Sequence, residues 1–306
     1  MFSRWRGAGA AAALATTLVL VGCGDGQAAP AAPGSCPAAP LSIVVSVSQW
    51  GDIVHDLAAA CGDVKTIIHG TSLDPHDYEP KPADLAAFTD ADLVVVNGLG
   101  YDAWATKAAK AAGSSPAVVD AGTVVGKTEG DNPHVWYGPE FVNEVADAVT
   151  AELEALLPGA RAYFDEKSVA WHAKMRPYYD EVSHLRRDFT GVTYGATEPV
   201  FDYMAQAIGL INDTPSGYER AAANEADPAP GDIHDFLTAI ERSTIDLLVV
   251  NTQTSGALVD QLRHAAQSSG VPIVEVTEAP PNDASFESWQ LAQLHALAAA
   301  IDRVHR

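Results

Sequence analysis

The chain has 306 residues and a formal net charge of −22 at pH 7, from 40 acidic and 18 basic side chains. So acidic a surface weighs against nucleic acid and anionic lipid surfaces as partners, because both would be repelled. The same charge suits a protein that handles cations. The length, after removal of an export signal, is enough for two lobes of ordinary domain size.

The N-terminus is predicted to be an export signal. Arg4 and Arg6 precede an apolar run that is too short to span a bilayer as a helix. The run ends at Cys23 in the order aliphatic, aliphatic, Gly, Cys, which resembles the bacterial lipobox. This resemblance implies removal of residues 1–22 and lipidation of Cys23, whereas the alternative is an ordinary signal peptide with an incidental cysteine. Residues 23–40, rich in Gly, Ala and Pro, are predicted to form a flexible tether on the extracytoplasmic face of the cell membrane.

Two further cysteines remain once Cys23 is assigned to a lipid. Outside the cytoplasmic membrane, Cys36 and Cys61 are expected to form a disulfide. This bond would hold the end of the tether against the first helix, and the chain-entropy argument gives it about 3 kcal/mol of stabilisation.

Strands and helices alternate through the first half of the chain. The strands are short, apolar and rich in β-branched residues, and the helices have apolar residues at helical spacing. The predicted strands are 41–47, 64–68, 92–97 and 117–120, and the predicted helices are 50–61, 82–89, 101–113 and 139–157. This alternation predicts a parallel sheet flanked by helices, which forms an N-terminal α/β lobe over 41–159.

Residues 160–189 are predicted to form a single linking helix. They contain almost no Gly, and their apolar residues recur mostly at steps of three and four. At 1.5 Å per residue the helix would be on the order of 40 Å long, enough to connect two lobes. Pro177 is expected to kink it or to mark a local irregularity.

The alternation then restarts in a C-terminal α/β lobe over 190–306. The predicted strands are 192–196, 245–251 and 272–276, the predicted helices are 198–208, 233–243, 257–269 and 286–305, and 217–231 is predicted to be a polar connection. The sequence shows no convincing internal repeat. The expected fold class is therefore α/β, with two parallel-sheet sandwich lobes joined by one long rigid helix.

Four loops place a histidine or a carboxylate beside proline. His76 and His134 lie in the first half of the chain, and Glu198 and Glu278 lie in the second half. Three of these loops come after a predicted strand and one precedes the linking helices, positions at which α/β sheets hold their ligands. Each residue alone is more typical of a surface or hydrogen-bonded group. Two imidazoles and two carboxylates together are suited to a divalent first-row metal ion.

The motifs around these residues resemble those of a known family, the metal-receptor lipoproteins of bacterial ABC importers for zinc and manganese. Residues 75–80 read Pro-His-Asp-Tyr-Glu-Pro and residues 132–136 read Asn-Pro-His-Val-Trp, both similar to ligand motifs of that family. Residues 198–203 resemble the segment of its third ligand. The usual fourth ligand is Asp in a Thr-Asp pair. Here the nearest equivalent is Glu278, one methylene longer, and Asp283 is the alternative.

The resemblance covers essentially the whole mature chain and implies a metal site in the cleft between the lobes, formed by His76, His134, Glu198 and Glu278. It implies an extracytoplasmic receptor, not an enzyme, that captures one Zn²⁺ or Mn²⁺ and delivers it to an ABC permease and its ATPase. We expect a monomer held at the membrane by its lipid anchor. The sequence leaves zinc and manganese open. No His lies between His76 and His134, so the His-rich loop of many zinc receptors is missing.

Further expectations concern the surroundings of the ligands. The second ring nitrogen of each ligating histidine is expected to meet a carboxylate or a carbonyl, and the candidates near in sequence are Asp74, Asp77, Glu79 and Asp131. Tyr78 and Trp136 are expected either to line the cleft and keep water off the metal or to have a plain core role. Metal binding should weaken below about pH 6, because histidine must be neutral to ligate.

Two other functions use the same donors. A metal-dependent extracellular hydrolase would activate water at an open metal position, but the chain has neither an H-E-x-x-H nor a G-x-S-x-G motif. A lipoprotein adhesin would use the metal only to stabilise its fold. Removal of the metal distinguishes an adhesin from a receptor, because a receptor should stay folded and rebind its ion.

Overall fold

The structure is a computed structural model that describes residues 34–71, 78–281 and 284–304. Several of the residues and segments singled out above lie outside this part of the chain: the predicted signal, the tether up to residue 33 with Cys23, and Asp74, His76, Asp77 and Asp283. Within the described residues, no helix combines the length and the apolar character needed to cross a membrane.

Eight strands and eleven α-helices make up the described chain. The strands are β1 Leu41–Val47, β2 Gly62–Ile68, β3 Leu93–Val96, β4 Ala117–Asp120, β5 Thr193–Ala196, β6 Ile211–Asn212, β7 Leu247–Asn251 and β8 Ile273–Val276. The helices are α1 Ser48–Ala58, α2 Pro82–Ala86, α3 Ala103–Ala111, α4 Ala121–Val124, α5 Pro139–Leu156, α6 Arg161–Phe189, α7 Asp202–Ile208, α8 Ser216–Ala223, α9 Pro230–Glu241, α10 Ala257–Ser269 and α11 Phe286–Val304.

The strands form two parallel sheets with the same topology. The first sheet has the order β2-β1-β3-β4 and the second has the order β6-β5-β7-β8. Ile43 is in register with both Val64 and Leu93, and Gly195 is in register with Leu248. In each sheet the first strand of the lobe lies between the second and the third, so the strand order reverses its direction between the first and third strands. The carboxyl ends of β1 and β3, and of β5 and β7, therefore border the crevices in which such sheets bind ligands.

Both faces of each sheet are covered, which explains the nearly continuous apolar strands. Val45 and Val95 belong to a large core that runs through both lobes, whereas Val44 and Val94 face a smaller core on the opposite side of the sheet. In the second sheet, Val249 faces the shared core and its neighbours face a separate core beneath α9 and α10. The shared core joins the two lobes into one packed unit.

Helix α6 connects the lobes. It packs against α1 and α5 of the first lobe and against α7 and α11 of the second. Its buried side chains recur at helical spacing, and they are Phe164, Trp171, Met175, Tyr178, Val182, Leu185 and Phe189. The helix continues through Pro177, which is exposed. The predicted fold class, two parallel-sheet α/β lobes with one long connecting helix, is confirmed.

The prediction of a polar connection over 217–231 is wrong, because α8 occupies much of this segment. Gly217 indicates a turn in the sequence, yet in the first turn of α8 it allows a close approach. A Cβ atom there would lie 1.7 Å from a carboxylate oxygen of Asp232. Tyr218, buried against Phe236 with 4.7 Å between ring centroids, anchors the helix. Strand β6 also went unpredicted, since two exposed residues give no periodic signal.

Cys36 and Cys61 form a disulfide. Cys61 is fully buried at the end of a 3-10 turn that follows α1. The bond therefore fastens residues 34–40, the described end of the predicted tether, to the first lobe.

Candidate functional site

Polar residues from both lobes meet at the carboxyl ends of the strands. Glu198 follows β5, Asn251 ends β7 and Glu278 follows β8, while His134 lies in the connection between α4 and α5. His134 and Glu278 are each 5% exposed and Asn251 is 1% exposed. The topology of the second sheet thus brings Glu198, Asn251 and Glu278 to its carboxyl edge, where His134 of the first lobe meets Glu278.

The ring of His134 is oriented by Asn132. The amide oxygen of Asn132 lies 2.7 Å from His134 Nδ1 and also accepts the His134 backbone N–H at 3.0 Å. Asn132 in turn donates to the Pro199 carbonyl oxygen at 2.7 Å, which fixes the amide orientation. An amide oxygen requires a proton on Nδ1, so Nε2 presents its lone pair to the cleft. The side-chain carbonyl of Asn132 therefore has the role for which Asp131 was a candidate.

Asp131 makes different contacts. Its carboxylate accepts hydrogen bonds from the backbone N–H and the hydroxyl of Thr128, at 2.8 Å and 3.2 Å. These bonds, the backbone one first, lower the pKa of Asp131. The carboxylate closes a surface turn and does not reach the imidazole ring that was its predicted partner.

One amide group bridges the two glutamates. Asn251 Nδ2 donates to Glu198 Oε2 at 2.6 Å and to Glu278 Oε1 at 2.8 Å. The hydroxyl of Thr254 donates to the other oxygen of Glu198 at 2.7 Å. Burial, and to a smaller extent the charge of Glu278, raise the pKa of Glu198, although the bonds from Thr254 and Asn251 oppose this shift. Neutral donors thus hold two carboxylates side by side in a poorly hydrated place.

Glu278 also reaches across to the first lobe. Its Oε2 accepts the hydroxyl hydrogen of Tyr101 at 2.9 Å and lies 3.7 Å from His134 Nε2. Burial raises the pKa of Tyr101 well above its usual range, so the hydroxyl keeps its proton and remains a donor. Gln49 Nε2 lies 3.1 Å from the same hydroxyl and positions it. Glu278 therefore links the second lobe to the first at the site, as the bond from Asn132 to Pro199 also does.

A second buried carboxylate supports the first lobe behind the site. Asp102 accepts hydrogen bonds from the Ser46 hydroxyl and from the backbone N–H groups of Asn97 and Gly98. Burial raises the pKa of Asp102 to about 6 in spite of these bonds. Its contacts connect the loop after β3, which contains Tyr101, to the end of β1.

Aromatic rings enclose the imidazole. Trp136 is fully buried, with ring centroids 5.2 Å from His134 and 5.0 Å from Tyr101. Tyr78 lies elsewhere: its ring packs against Trp104 at 5.2 Å and its hydroxyl donates to Asp84 at 2.6 Å. Trp136 therefore has the core role that was the alternative to lining the cleft, and Tyr78 packs between α2 and α3.

The structure brings together three of the four predicted ligands, His134, Glu198 and Glu278. The fourth, His76, and the alternative Asp283 lie outside the described residues. Among the residues that are described, no three His, Cys, Asp or Glu side chains form a metal-holding group by themselves.

Sequence reasoning missed the neutral residues of the site. Asn251, Thr254, Tyr101 and Asn132 position the ligand candidates, yet no motif marks amides and hydroxyls of this kind. A usable signal was present for Asn251, which is the last residue of an apolar strand and therefore lies where α/β sheets hold their ligands. Asn132 lies inside the motif that was already recognised.

Two lobes built on parallel sheets, one connecting helix and a polar site between them define a two-lobed α/β binding protein. The family model described as "ZnuA: Zinc-uptake complex component A periplasmic" matches residues 43–300, and the chain belongs to this family. The members of this family are solute-binding proteins.

Curated relatives include zinc and manganese proteins alike. The chain is 24% identical over 229 residues to the "High-affinity zinc uptake system protein ZnuA" of Bacillus subtilis. This alignment covers 69% of this chain and 70% of the relative. It is also 24% identical over 264 residues to the "Manganese-binding lipoprotein MntA" of Halalkalibacterium halodurans. This alignment covers 84% of this chain and 83% of the relative.

Solved structures show the same fold. The periplasmic zinc-binding protein TroA from Treponema pallidum superposes with a TM-score of 0.73 at 20% identity, over 86% of this chain and 99% of TroA. A mutant of the laminin-binding adhesin Lmb from Streptococcus agalactiae superposes with a TM-score of 0.70 at 22% identity, over 85% of this chain and 99% of Lmb.

Proposed function

We propose that this protein is an extracytoplasmic receptor that captures one divalent transition-metal ion, Zn²⁺ or Mn²⁺, between its lobes and delivers it to an ABC importer. The observation that carries the proposal is the contact between the lobes, where His134 Nε2 and Glu278 Oε2 lie 3.7 Å apart. Two donors bound to one metal ion at about 2.0–2.2 Å lie at a similar separation from each other. Glu198, linked to Glu278 through Asn251, adds a third donor.

In this proposal, His76 completes the ligand set together with His134, Glu198 and Glu278. Two neutral imidazoles and two carboxylates would neutralise the ion and leave the site with no net charge. The tautomer of His134 set by Asn132 supports ligation through Nε2. Membership of the zinc-uptake family and the zinc and manganese names of the relatives are consistent with such cargo.

The remaining parts of the proposal follow from the family and the N-terminal sequence. Lipidation at Cys23 would anchor a monomer to the outer face of the cell membrane, beside a permease and its ATPase. Several relatives are named as lipoproteins of ABC transporters. The protein would bind and release its ion without catalysing a reaction. Neither the hydrolase nor the adhesin alternative is proposed, since the likeness to Lmb concerns the fold.

Metal analysis tests this function. The metal-stripped chain without residues 1–23 should bind one Zn²⁺ or Mn²⁺ per molecule in a competitive titration and remain folded when the ion is removed. The double variant His76→Ala, His134→Ala should lose that ion. His172→Ala is a matched control, because this histidine lies on the exposed side of α6, 3.1 Å from Asp147. The absence of stoichiometric metal in the wild type would overturn the proposal.

A further inference from the structure

A buried asparagine lies at the carboxyl end of the third strand of each lobe. Residues 92–97 read Asp-Leu-Val-Val-Val-Asn and residues 246–251 read Asp-Leu-Leu-Val-Val-Asn, a likeness too short to mark a repeat by itself. Strands β3 and β7 occupy the same place in their sheets, and Asn97 and Asn251 are 0% and 1% exposed. The fold therefore sets the two asparagines at equivalent positions.

The contacts at the other end of these strands match as well. The carboxylate of Asp92 accepts the backbone N–H of Ser42 at 2.8 Å, and the carboxylate of Asp246 accepts that of Thr193 at 2.8 Å. Each aspartate donates its own N–H to the carbonyl oxygen of the same partner, at 2.8 Å and 3.1 Å. The same pair of bonds thus sets the register of β3 on β1 and of β7 on β5.

Asn97 reaches the loop that contains His134. Its Nδ2 donates to the carbonyl oxygen of Pro133, the preceding residue, at 2.9 Å. Its Oδ1 accepts the indole N–H of the fully buried Trp50 at 3.1 Å. Because an indole nitrogen can only donate, this contact fixes which end of the amide is the donor. The backbone N–H of Asn97 donates to Asp102 at 2.7 Å, so the main chain that bears the amide is fixed too.

His134 is the central residue of a tight turn. Its φ of −77° and ψ of 45° lie near those of an inverse γ-turn, and the Val135 N–H donates to the Pro133 carbonyl oxygen at 2.7 Å. Asn97 is a second donor to that oxygen. A carbonyl oxygen has two lone pairs, and these two donors satisfy both. The amide therefore stabilises the turn that bears the imidazole ring.

We infer that Asn97 is a positioning residue that holds the turn of His134, as Asn251 holds the two glutamates of the second lobe. The use of this imidazole as a metal ligand rests on the proposed function, whereas the positioning concerns the metal-free protein. With the turn held, Nδ1 of the ring stays 2.7 Å from Asn132 and Nε2 stays 3.7 Å from Glu278.

Loss of the amide should release the ring. In Asn97→Ala the Pro133 carbonyl oxygen keeps only the Val135 N–H, so the turn can move and the ring can leave Asn132. A neutral imidazole in water prefers its proton on Nε2, so a released ring should exchange its Nδ1–H tautomer for the Nε2–H one. A proton on Nε2 blocks ligation through that atom, and the affinity for Zn²⁺ should fall about tenfold or more.

Two further variants separate positioning from a general loss of stability. Val94→Ala removes buried methyl groups from the opposite face of β3 and lowers stability without touching the turn. Trp50→Phe leaves Asn97 in place but removes the donor that orients its amide. Trp50→Phe should therefore reproduce the effect of Asn97→Ala, and it decides the question if Asn97→Ala does not fold.

The test is nitrogen-15 NMR of the histidine rings in the metal-free chain without residues 1–23, at about pH 8, where histidine is neutral. The signals of His134 are assigned from their loss in His134→Ala. Wild type and Val94→Ala should show the Nδ1–H tautomer of His134, and Asn97→Ala and Trp50→Phe should show mainly Nε2–H. The Nδ1–H tautomer in every folded variant, an equal shift in Val94→Ala, or an Nε2–H ring in the wild type would overturn the inference.

Zinc titration of the same proteins keeps this result apart from the proposed function. A wild type with the Nδ1–H tautomer that binds neither Zn²⁺ nor Mn²⁺ would overturn the proposed function and leave the positioning role intact. A shifted tautomer in Asn97→Ala together with a tenfold weaker affinity for zinc would support both. Unchanged zinc affinity in a variant with a shifted tautomer would overturn the link between positioning and binding.

Discussion

The residues that surround the proposed ligands are mostly neutral, and this has a physical consequence. The buried Glu278 and the half-buried Glu198 receive hydrogen bonds from amides and hydroxyls of Asn251, Thr254 and Tyr101. Hydrogen bonds stabilise a buried carboxylate without cancelling its charge, so the charge remains available to attract a cation.

Asp102 provides a test of the electrostatics behind the site. Its folded-state pKa of about 6 lies above the value of about 4 for an unfolded Asp. Between these pH values the folded protein holds a proton that the unfolded chain has lost. The stabilisation of the folded state that comes from the protonated Asp102 is therefore fully present below pH 4 and is lost as the pH rises through 6.

The prediction compares the wild type with Asp102→Asn, which cannot titrate. The free energy of unfolding of the wild type should fall relative to that of the variant by about 2 kcal/mol between pH 4 and pH 7, because one pKa unit corresponds to about 1.4 kcal/mol. Urea unfolding of the metal-free proteins at both pH values measures this difference. A difference between the two proteins that stays constant with pH would contradict the raised pKa.

At the scale of single residues, sequence motifs were sufficient for some positions and silent for others. His134, Glu198 and Glu278 were proposed as ligands because imidazoles and carboxylates beside proline have a recognised ligand chemistry. Asn251 and Tyr101 were not, since their roles depend on which atoms the folded loops bring within 3 Å. Partners of this kind are set by tertiary contacts between residues far apart in sequence.

Among the elements, α6 has the most direct influence on how the lobes are held. It is 29 residues long and contains Pro177 on its exposed side. A proline inside a helix removes one backbone hydrogen bond and crowds the preceding turn. The helix is therefore less stable in its middle than its length would suggest.

Replacement of that proline gives the prediction for this element. Pro177→Ala restores the missing N–H donor and should stabilise the metal-free protein by about 1 to 3 kcal/mol. Thermal unfolding measures the gain, with the neighbouring exposed Arg176→Ala as control. A lower unfolding temperature for Pro177→Ala would contradict the view that the proline weakens the middle of α6.

Most of the strands and helices could be predicted from the sequence, and the strands show why. Strands buried on both faces, such as β3 with four fully buried residues, are continuous apolar runs and stand out in any sequence. Helix α8 was missed because Gly217 suggests a turn. A glycine is required there because the carboxylate of Asp232 lies close to it, and this tertiary contact is not visible in the sequence. The shared strand order of the two sheets was likewise invisible, since it leaves no sequence repeat.

For the whole molecule, a contact between α1, α6 and α11 connects three parts of the chain. Asp52 of α1 accepts the backbone N–H of Phe286, the first residue of α11, at 2.9 Å. Lys174 of α6 lies 3.4 Å from Asp52 and 2.6 Å from Asp56. Asp52 therefore places a negative charge at the N-terminus of α11 and fastens the second lobe to the first.

Loss of this contact should loosen the junction between the lobes. Asp52→Ala should lower the free energy of unfolding by about 1 to 2 kcal/mol, because the first N–H of α11 loses its acceptor. It should also speed hydrogen exchange of the Phe286 amide. Asp56→Ala is the matched control: it removes only a partly exposed ion pair and should cost less than about 1 kcal/mol. Equal effects of the two variants would indicate that Asp52 acts only through Lys174.

The proposed function requires one metal ion to lie between the lobes on donors from both of them. Crystals of the zinc-loaded protein, with diffraction data recorded at the zinc absorption edge, test it most directly. We expect a single anomalous peak about 2.0–2.2 Å from His134 Nε2 and from one oxygen each of Glu198 and Glu278, with His76 as the fourth ligand. A peak elsewhere on the chain, or none in the cleft, would contradict it.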